Sequence, residues 1–229
     1  MEEVHGILMS DKLLKFSAGS GKGDVSAIVT RPENAAHLLV LGHGASSNIR
    51  TPLMQAIAEA LAGEGIATFR YNFPYSENGR GRDSNAVCIE TVRSAVKAAK
   101  EAAPELPLLA GGHSFSGRMT TSAASEAPLE GVKGIVLFAF PLHPAAAPDT
   151  KRAEHLKNVT VPMLFLSGTR DALGELDLLE PTIRKLGKQS TLHLLETADH
   201  SFKVLKKTRT SKEDVFAEIA RVLREWVNA

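Results

Sequence analysis

The sequence predicts a three-layer α/β protein: about eight strands in a mostly parallel sheet, helices on both faces, and an antiparallel hairpin at the N-terminal edge. Three observations carry this. Short runs rich in Val, Ile, Leu and Phe alternate with helical stretches from about residue 37 onward, and such alternation implies right-handed βαβ crossovers. The later strand runs are apolar throughout, which suits parallel strands covered on both faces. The first two runs are joined only by Ser17–Asp24, a turn-forming stretch too short for a crossover helix, so they should pair antiparallel.

The hairpin strands are Leu13–Phe16 and Val25–Thr30, and Leu38–Leu41 opens the parallel part. A helix over Thr51–Ala62 sets Leu53, Ile57 and Leu61 four apart on one face, and Gly63 and Gly65 end it. Strand Ile66–Tyr71 is followed by a helix over Ser84–Ala102. There Cys88, Val92, Val96 and Ala99 form a stripe, with Arg93, Lys97 and Lys100 off it. Strand Leu106–Ala110 leads into a short small-residue helix, Gly117–Ala124. After strand Ile135–Phe140 comes Pro141–Thr150, with three prolines and three consecutive alanines, read as an irregular excursion. Strand Pro162–Leu166, helix Glu175–Leu186 and strand Thr191–Leu195 follow. The C-terminal helix, Lys212–Val227, docks through Val215, Ile219, Val222 and Trp226. With no internal repeat or low-complexity stretch, one domain over residues 1–229 is expected.

Composition narrows the function classes. The 229 residues carry 27 Lys and Arg against 26 Asp and Glu, a formal net charge of +1. That balance gives no footprint for nucleic acid or an anionic membrane. Cys88 is the single cysteine, so no intrachain disulfide forms and a reducing compartment is permitted. The start, Met1–His5, is acidic where a signal peptide is basic, and no apolar run approaches membrane-spanning length. A cytoplasmic protein is expected, as a monomer or homodimer.

The chemistry gathers around Gly111-Gly112-His113-Ser114-Phe115-Ser116-Gly117. A strand enters it and a helix leaves it, the context of a nucleophile elbow. Ser114 would sit on a strained turn, so positions two before and two after must be small. Gly112 meets this. Ser116 stands where Gly is usual, and Gly117 follows. The bland alternative is a tight turn with Ser114 capping the helix.

A hydrolytic serine needs an orienting acid and a base, which in such a fold follow it in that order. Asp171 lies 57 residues beyond Ser114, at the carboxyl edge of its strand, where sites of open α/β sheets form. It is preferred to Glu175 and Asp177 and to a helix-capping reading. His200 lies 29 residues further, in a loop that lets it swing toward Ser114. Among the other histidines, His113 should point away from the serine, His193 lies within a strand, His5 is in the tail and His37 is at the opposite edge. His143 and His155 flank the excursion and could line a pocket. The oxyanion hole would take its N–H groups from Phe115 and from Ala45 in the loop Gly42–Asn48. His43 braces that loop or lines the pocket, and Ser46 and Ser47 should cap the next helix. Tyr71, Phe73 and Tyr75 are candidates for the pocket wall, Arg80 or Arg82 for an anionic substrate, and Arg118 for a structural ion pair. No metal-ligand spacing and no phosphate loop are present.

These motifs resemble the α/β-hydrolase superfamily, and within it small lid-poor proteins similar to dienelactone hydrolase. The likeness runs from His43-Gly44 through residues 112–117 to Asp171 and His200. Gly111-Gly112-His113-Ser114, Gly117-Arg118-Met119 and Phe140-Pro141-Leu142-His143-Pro144 look like a subgroup of poorly characterised predicted hydrolases. The resemblance implies a serine hydrolase without cofactor or metal, acting on a small acyl substrate, ester or thioester. Peptide or carbon–carbon cleavage uses the same residues, and a fold kept for binding with little turnover is the alternative from another class. Dienelactone hydrolases use cysteine where Ser114 stands, so lactone specificity is not implied. Only 21 residues, Pro141–Val161, separate the sixth and seventh strands. That leaves room for one small helix, Lys151–Leu156, and for a minimal lid.

Overall fold

The computed structural model describes residues 9–19 and 21–229. The acidic start with His5, and Ser20 of the first turn, lie outside the described residues. Strands β1 (Met9–Ser17) and β2 (Asp24–Pro32) form the expected antiparallel hairpin. Its turn closes through Ala18 N–H to Gly23 O at 2.9 Å, with Gly19, Gly21 and Gly23 all at positive φ, where glycine avoids a steric cost. The other strands are β3 (His37–Gly42), β4 (Ile66–Tyr71), β5 (Leu108–His113), β6 (Val132–Phe138), β7 (Met163–Gly168) and β8 (Ser190–Leu195). They make one eight-stranded sheet in the order β1-β2-β4-β3-β5-β6-β7-β8, parallel from β4 to β8. The β2–β4 pairing is antiparallel too, so β2 alone runs against the parallel strands and β1 runs with them.

Strand side chains alternate between two cores. Leu38 and Val40 of β3 face one side, while Leu39 and Leu41 face the other. The first side is covered by α3 (Asn85–Ala102), α4 (Phe115–Glu126) and α5 (Leu176–Arg184), the second by α1 (Pro52–Gly63) and α6 (Val215–Val227). This is the predicted three-layer α/β-hydrolase architecture.

Several element ends differ from expectation, each for a local reason. β5 runs through Gly112 to His113, because the sheet continues to the turn itself. β6 stops at Phe138, where Ala139 takes φ +54°. Helix α1 starts at Pro52, whose missing N–H is harmless in a first turn, with Thr51 before it. Among the described residues, neither Ser46 nor Ser47 therefore caps this helix; Ser47 Oγ instead lies 3.0 Å from Thr51 Oγ1. Helix α6 starts at Val215 rather than Lys212, because Asp214 accepts the Phe216 and Ala217 N–H groups. A four-residue helix, α2 (Pro74–Glu77), was not foreseen. Where a helix over Lys151–Leu156 was expected, a 3-10 helix spans Lys151–Asn158. Among the described residues, no helix is long and apolar enough to cross a membrane.

Candidate active site

Ser114 joins β5 to α4 with φ 53° and ψ −112°. For a non-glycine residue this conformation costs about 1–3 kcal/mol and persists only where the surroundings enforce it. Its N–H donates to Phe138 O at 2.8 Å, fixing the turn to β6. Ser114 holds the N-cap position of α4, yet its hydroxyl caps no helical N–H. The turn is as crowded as a nucleophile elbow requires. A Cβ on Gly112 would lie 2.1 Å from Ser116 Oγ and 2.7 Å from Gly42 O. Ser116 is fully buried and its hydroxyl donates to His113 O at 3.0 Å.

The Ser114 hydroxyl lies 2.8 Å from His200 Nε2, and His200 Nδ1 lies 2.8 and 2.9 Å from the two Asp171 carboxylate oxygens. A carboxylate only accepts, so Nδ1 carries the proton and Nε2 is left to accept from Ser114. The Asp171 side chain is 1% exposed and also accepts the Leu173 N–H at 2.8 Å. Glu175 is the N-cap of α5 and Asp177 lies in its first turn; the histidine bonds Asp171. The loop that carries His200 does not swing freely. Asp199 Oδ1 accepts the N–H groups of Ser201 and Lys203, at 2.8 and 3.0 Å.

His113 departs from expectation. Rather than pointing away, its ring packs 5.2 Å from the His200 ring, and its Nε2–H donates to His200 O at 2.8 Å. Burial pushes the His113 pKa down to about 4, so the ring is neutral.

The loop between β3 and α1 faces this arrangement. His43 is fully buried beneath it. Its Nδ1–H donates to Gly44 O at 2.7 Å and its Nε2 accepts the Phe73 N–H at 3.2 Å, so it braces the loop. Burial likewise lowers its pKa to about 4. A Cβ on Gly44 would come within 3.0 Å of His113 Nδ1. Among the described residues, neither Ala45 N–H nor Phe115 N–H donates within the protein. Both amides remain available to an oxyanion.

A family model for the alpha/beta hydrolase domain matches residues 35–228. This chain belongs to that alpha/beta hydrolase family. Solved structures are similar along nearly all of its length. A dienelactone hydrolase from Anabaena variabilis is 19% identical, with 96% of this chain and 97% of that one covered and a TM-score of 0.75. A lidless serine hydrolase from Xanthomonas campestris is 19% identical, with 96% and 94% covered and a TM-score of 0.71. An esterase domain of a Rhodothermus marinus protein is 20% identical, with 96% and 98% covered and a TM-score of 0.70. At such identities the likeness establishes the fold.

In this alpha/beta hydrolase a cavity of about 760 Å³ opens over Ser114, His113 and His200. One wall is the Gly44–Ser47 loop, and another is apolar: Pro52, Leu53 and Ala56 of α1 with Phe216 of α6. The pocket residues read from the sequence largely stand elsewhere. His43, Tyr71 and Phe73 are buried in the core and do not line this cavity. Tyr75 lines an adjoining cavity of about 550 Å³ with Arg80 and Arg82. The short helix α2 turns these rings inward, so that Phe73 stacks on Tyr75 at 5.8 Å and meets the Phe115 ring at 5.6 Å. His143 is buried too, with its Nδ1 2.9 Å from Pro144 O. His155 Nε2 sits 2.8 Å from Thr121 Oγ1 on α4. Arg118 makes no ion pair among the described residues, contrary to expectation; it lies over the Phe115 ring. Cys88 is buried in α3 with its thiol pushed up to about 12, so it is no thiolate nucleophile. Among the described residues, no group of His, Cys, Asp and Glu could hold a metal ion. The wall residues Leu53 and Phe216 were missed as such. Phe216 carried a signal, an apolar residue off the docking stripe of its helix.

Proposed function

We propose that this chain is a serine hydrolase that cleaves small esters or thioesters. The observation that carries the reading is the continuous hydrogen-bond chain from Ser114 Oγ through the His200 ring to the buried Asp171 carboxylate. Ser114 Oγ attacks the acyl carbon while His200 Nε2 takes its proton. Asp171 holds the ring in the Nδ1–H tautomer and stabilises the imidazolium. The Phe115 and Ala45 N–H groups receive the negative charge that develops on the carbonyl oxygen. His200 then protonates the departing alcohol or thiol. Water, deprotonated by the same nitrogen, releases the acid from the acyl-enzyme and returns the proton to Ser114.

Acyl chemistry agrees with what similar folds are described as doing, dienelactone hydrolase and esterase among them. The open mouth favours small or protruding substrates, because the Pro141–Val161 segment packs on α4 through His155 instead of forming a lid domain. A fold kept only for binding leaves the strained Ser114 and its aligned histidine without a use.

A fluorophosphonate probe should label the wild type at Ser114. The Ser114→Ala variant should keep its far-UV circular dichroism, take no label and lose roughly a thousandfold or more in p-nitrophenyl ester hydrolysis. Folded wild type that takes no label and turns over no ester of any chain length would overturn the reading.

A further inference from the structure

Around the ring of Phe115 stand cations that the acyl transfer above does not use. The guanidinium carbons of Arg82 and Arg118 lie 5.1 and 5.9 Å from that ring's centroid. Arg152 joins them. The His155–Thr121 contact at 2.8 Å sets the 3-10 helix Lys151–Asn158 against α4. Arg152 precedes His155 by three residues, and residues three apart eclipse in a 3-10 helix. Arg118 precedes Thr121 by three, on the same face of α4. Arg152 is near enough for its charge to act on Arg118. Burial first, then Arg152 and Arg82, lower the Arg118 pKa, as mutual repulsion requires. Arg80 flanks Arg82 on the wall of the smaller cavity, which meets the Ser114 cavity at Ala45, Ser46 and Ser47.

Among the described residues, none of these four arginines forms an ion pair, whereas Arg31, Arg209, Arg221 and Arg224 do. The neighbouring carboxylate, Asp83, meets Lys22 at 3.1 Å through Oδ1, while its buried Oδ2 has no hydrogen-bond partner among the described residues. Its charge acts on Cys88 together with those of Arg82 and Arg118, yet it pairs with neither arginine. Unpaired like charges gathered beside a candidate nucleophile repel one another, and a bound anion offsets that repulsion. The guanidinium fork matches carboxylate and phosphate oxygens.

We propose that Arg82, Arg118 and Arg152 form a subsite for an anionic group, phosphate or carboxylate, carried by the substrate on the Phe115 side of Ser114. The apolar wall of α1 and α6 then receives the hydrocarbon part. The substrate assignment rests on the hydrolase reading; the anion site does not.

The test compares kcat/KM for three butyryl-sized substrates: neutral p-nitrophenyl butyrate, mono-p-nitrophenyl succinate and butyryl-coenzyme A. Wild type, Arg118→Gln and Arg152→Gln are measured alongside isothermal titration with inorganic pyrophosphate and with succinate. One anionic substrate should exceed the neutral ester by about tenfold or more in wild type, the scale of one charge-assisted pair. That ratio should fall severalfold in each variant and with added salt. The favoured substrate tells phosphate from carboxylate. Unchanged ratios in the variants, with no loss of pyrophosphate or succinate binding, would overturn the subsite. If wild type hydrolyses no ester, the hydrolase reading fails. The subsite then stands on anion binding that weakens about tenfold in Arg118→Gln, and falls without it.

Discussion

His113 reaches past its neighbour Ser114 to hold the backbone carbonyl of His200 at 2.8 Å. It is neutral, and its Nε2–H is the donor, so its contribution is to fix where the His200 ring stands. A misplacement of about 1 Å can slow a reaction by about a hundredfold. His113→Ala should therefore lower kcat by about tenfold to a hundredfold with little change in KM. His113→Gln, which restores a donor, should recover more kcat than alanine does, even at equal melting temperature. Equal kcat losses in the two variants would reduce His113 to a packing residue. This contact could not be read from the sequence, although the meeting of Ser114, Asp171 and His200 could, from their order and strand-end placement. Alternation along a strand sends neighbours to opposite faces, but Ser114 at φ 53° breaks the alternation and brings both side chains to one cavity. The misplacement of Phe73 and Tyr75 has a similar origin. A loop rich in turn residues reads as exposed, and only the three-dimensional path of α2 decides that its rings stack under α4.

At the scale of elements, the turn depends on three chain segments meeting closely: the end of β3 at Gly42, the end of β5 at Gly112 and the first turn of α4 at Ser116. A Cβ at Gly42 would lie 2.4 Å from Ser116 Cβ, 2.9 Å from Ser116 Oγ and 2.8 Å from Tyr71 Oη. Two of those three contacts belong to the residue that stands in place of the usual glycine. Gly42→Ala should thus destabilise the protein by about 1–3 kcal/mol, the range for overpacking a dense core. Introduced together with Ser116→Gly, the same change should cost at least about 1 kcal/mol less. Urea denaturation of the four proteins of that cycle measures the coupling, and strict additivity would show that the contact relaxes elsewhere. The order of strands and helices was legible because apolar runs report burial directly. Their ends were not. Asp214 as a cap, the proline start of α1 and the 3-10 helix at Lys151 depend on local hydrogen bonds that periodicity does not encode.

Over the whole molecule, charge is where summation misleads. A net charge of +1 gives no footprint for nucleic acid or an anionic membrane, yet the balance conceals Arg80, Arg82, Arg118 and Arg152, which form no ion pair among the described residues. Buried histidines give the molecule a further property that composition does not reveal. His43 and His113 sit in the folded protein with pKa values near 4, against 6.5 for the free side chain, burial being the main cause. Both are lowered, so the unfolded chain binds more protons than the folded one between about pH 4 and 6.5. Their contribution to stability is complete above 6.5 and declines as pH falls toward 4, by up to ~3 kcal/mol for each ring. The carboxyls of Glu77 and Glu213 are lowered by hydrogen bonds, from Asn72 and Ser26 and from Arg221 respectively. They act in the same direction but only below about pH 4.5. Unfolding free energy from urea titrations should therefore be level from pH 8 to 7 as far as these groups decide it. It should then drop steadily between pH 6.5 and 4.5, before the carboxyls contribute. His43→Gln should flatten that drop by one proton's share while lowering stability at pH 7, since its amide braces the oxyanion loop less well. Stability that stays constant from pH 7 to 4.5 would mean that these rings titrate in the folded protein as they do in the unfolded chain, so that burial does not keep His43 and His113 neutral below pH 6.5.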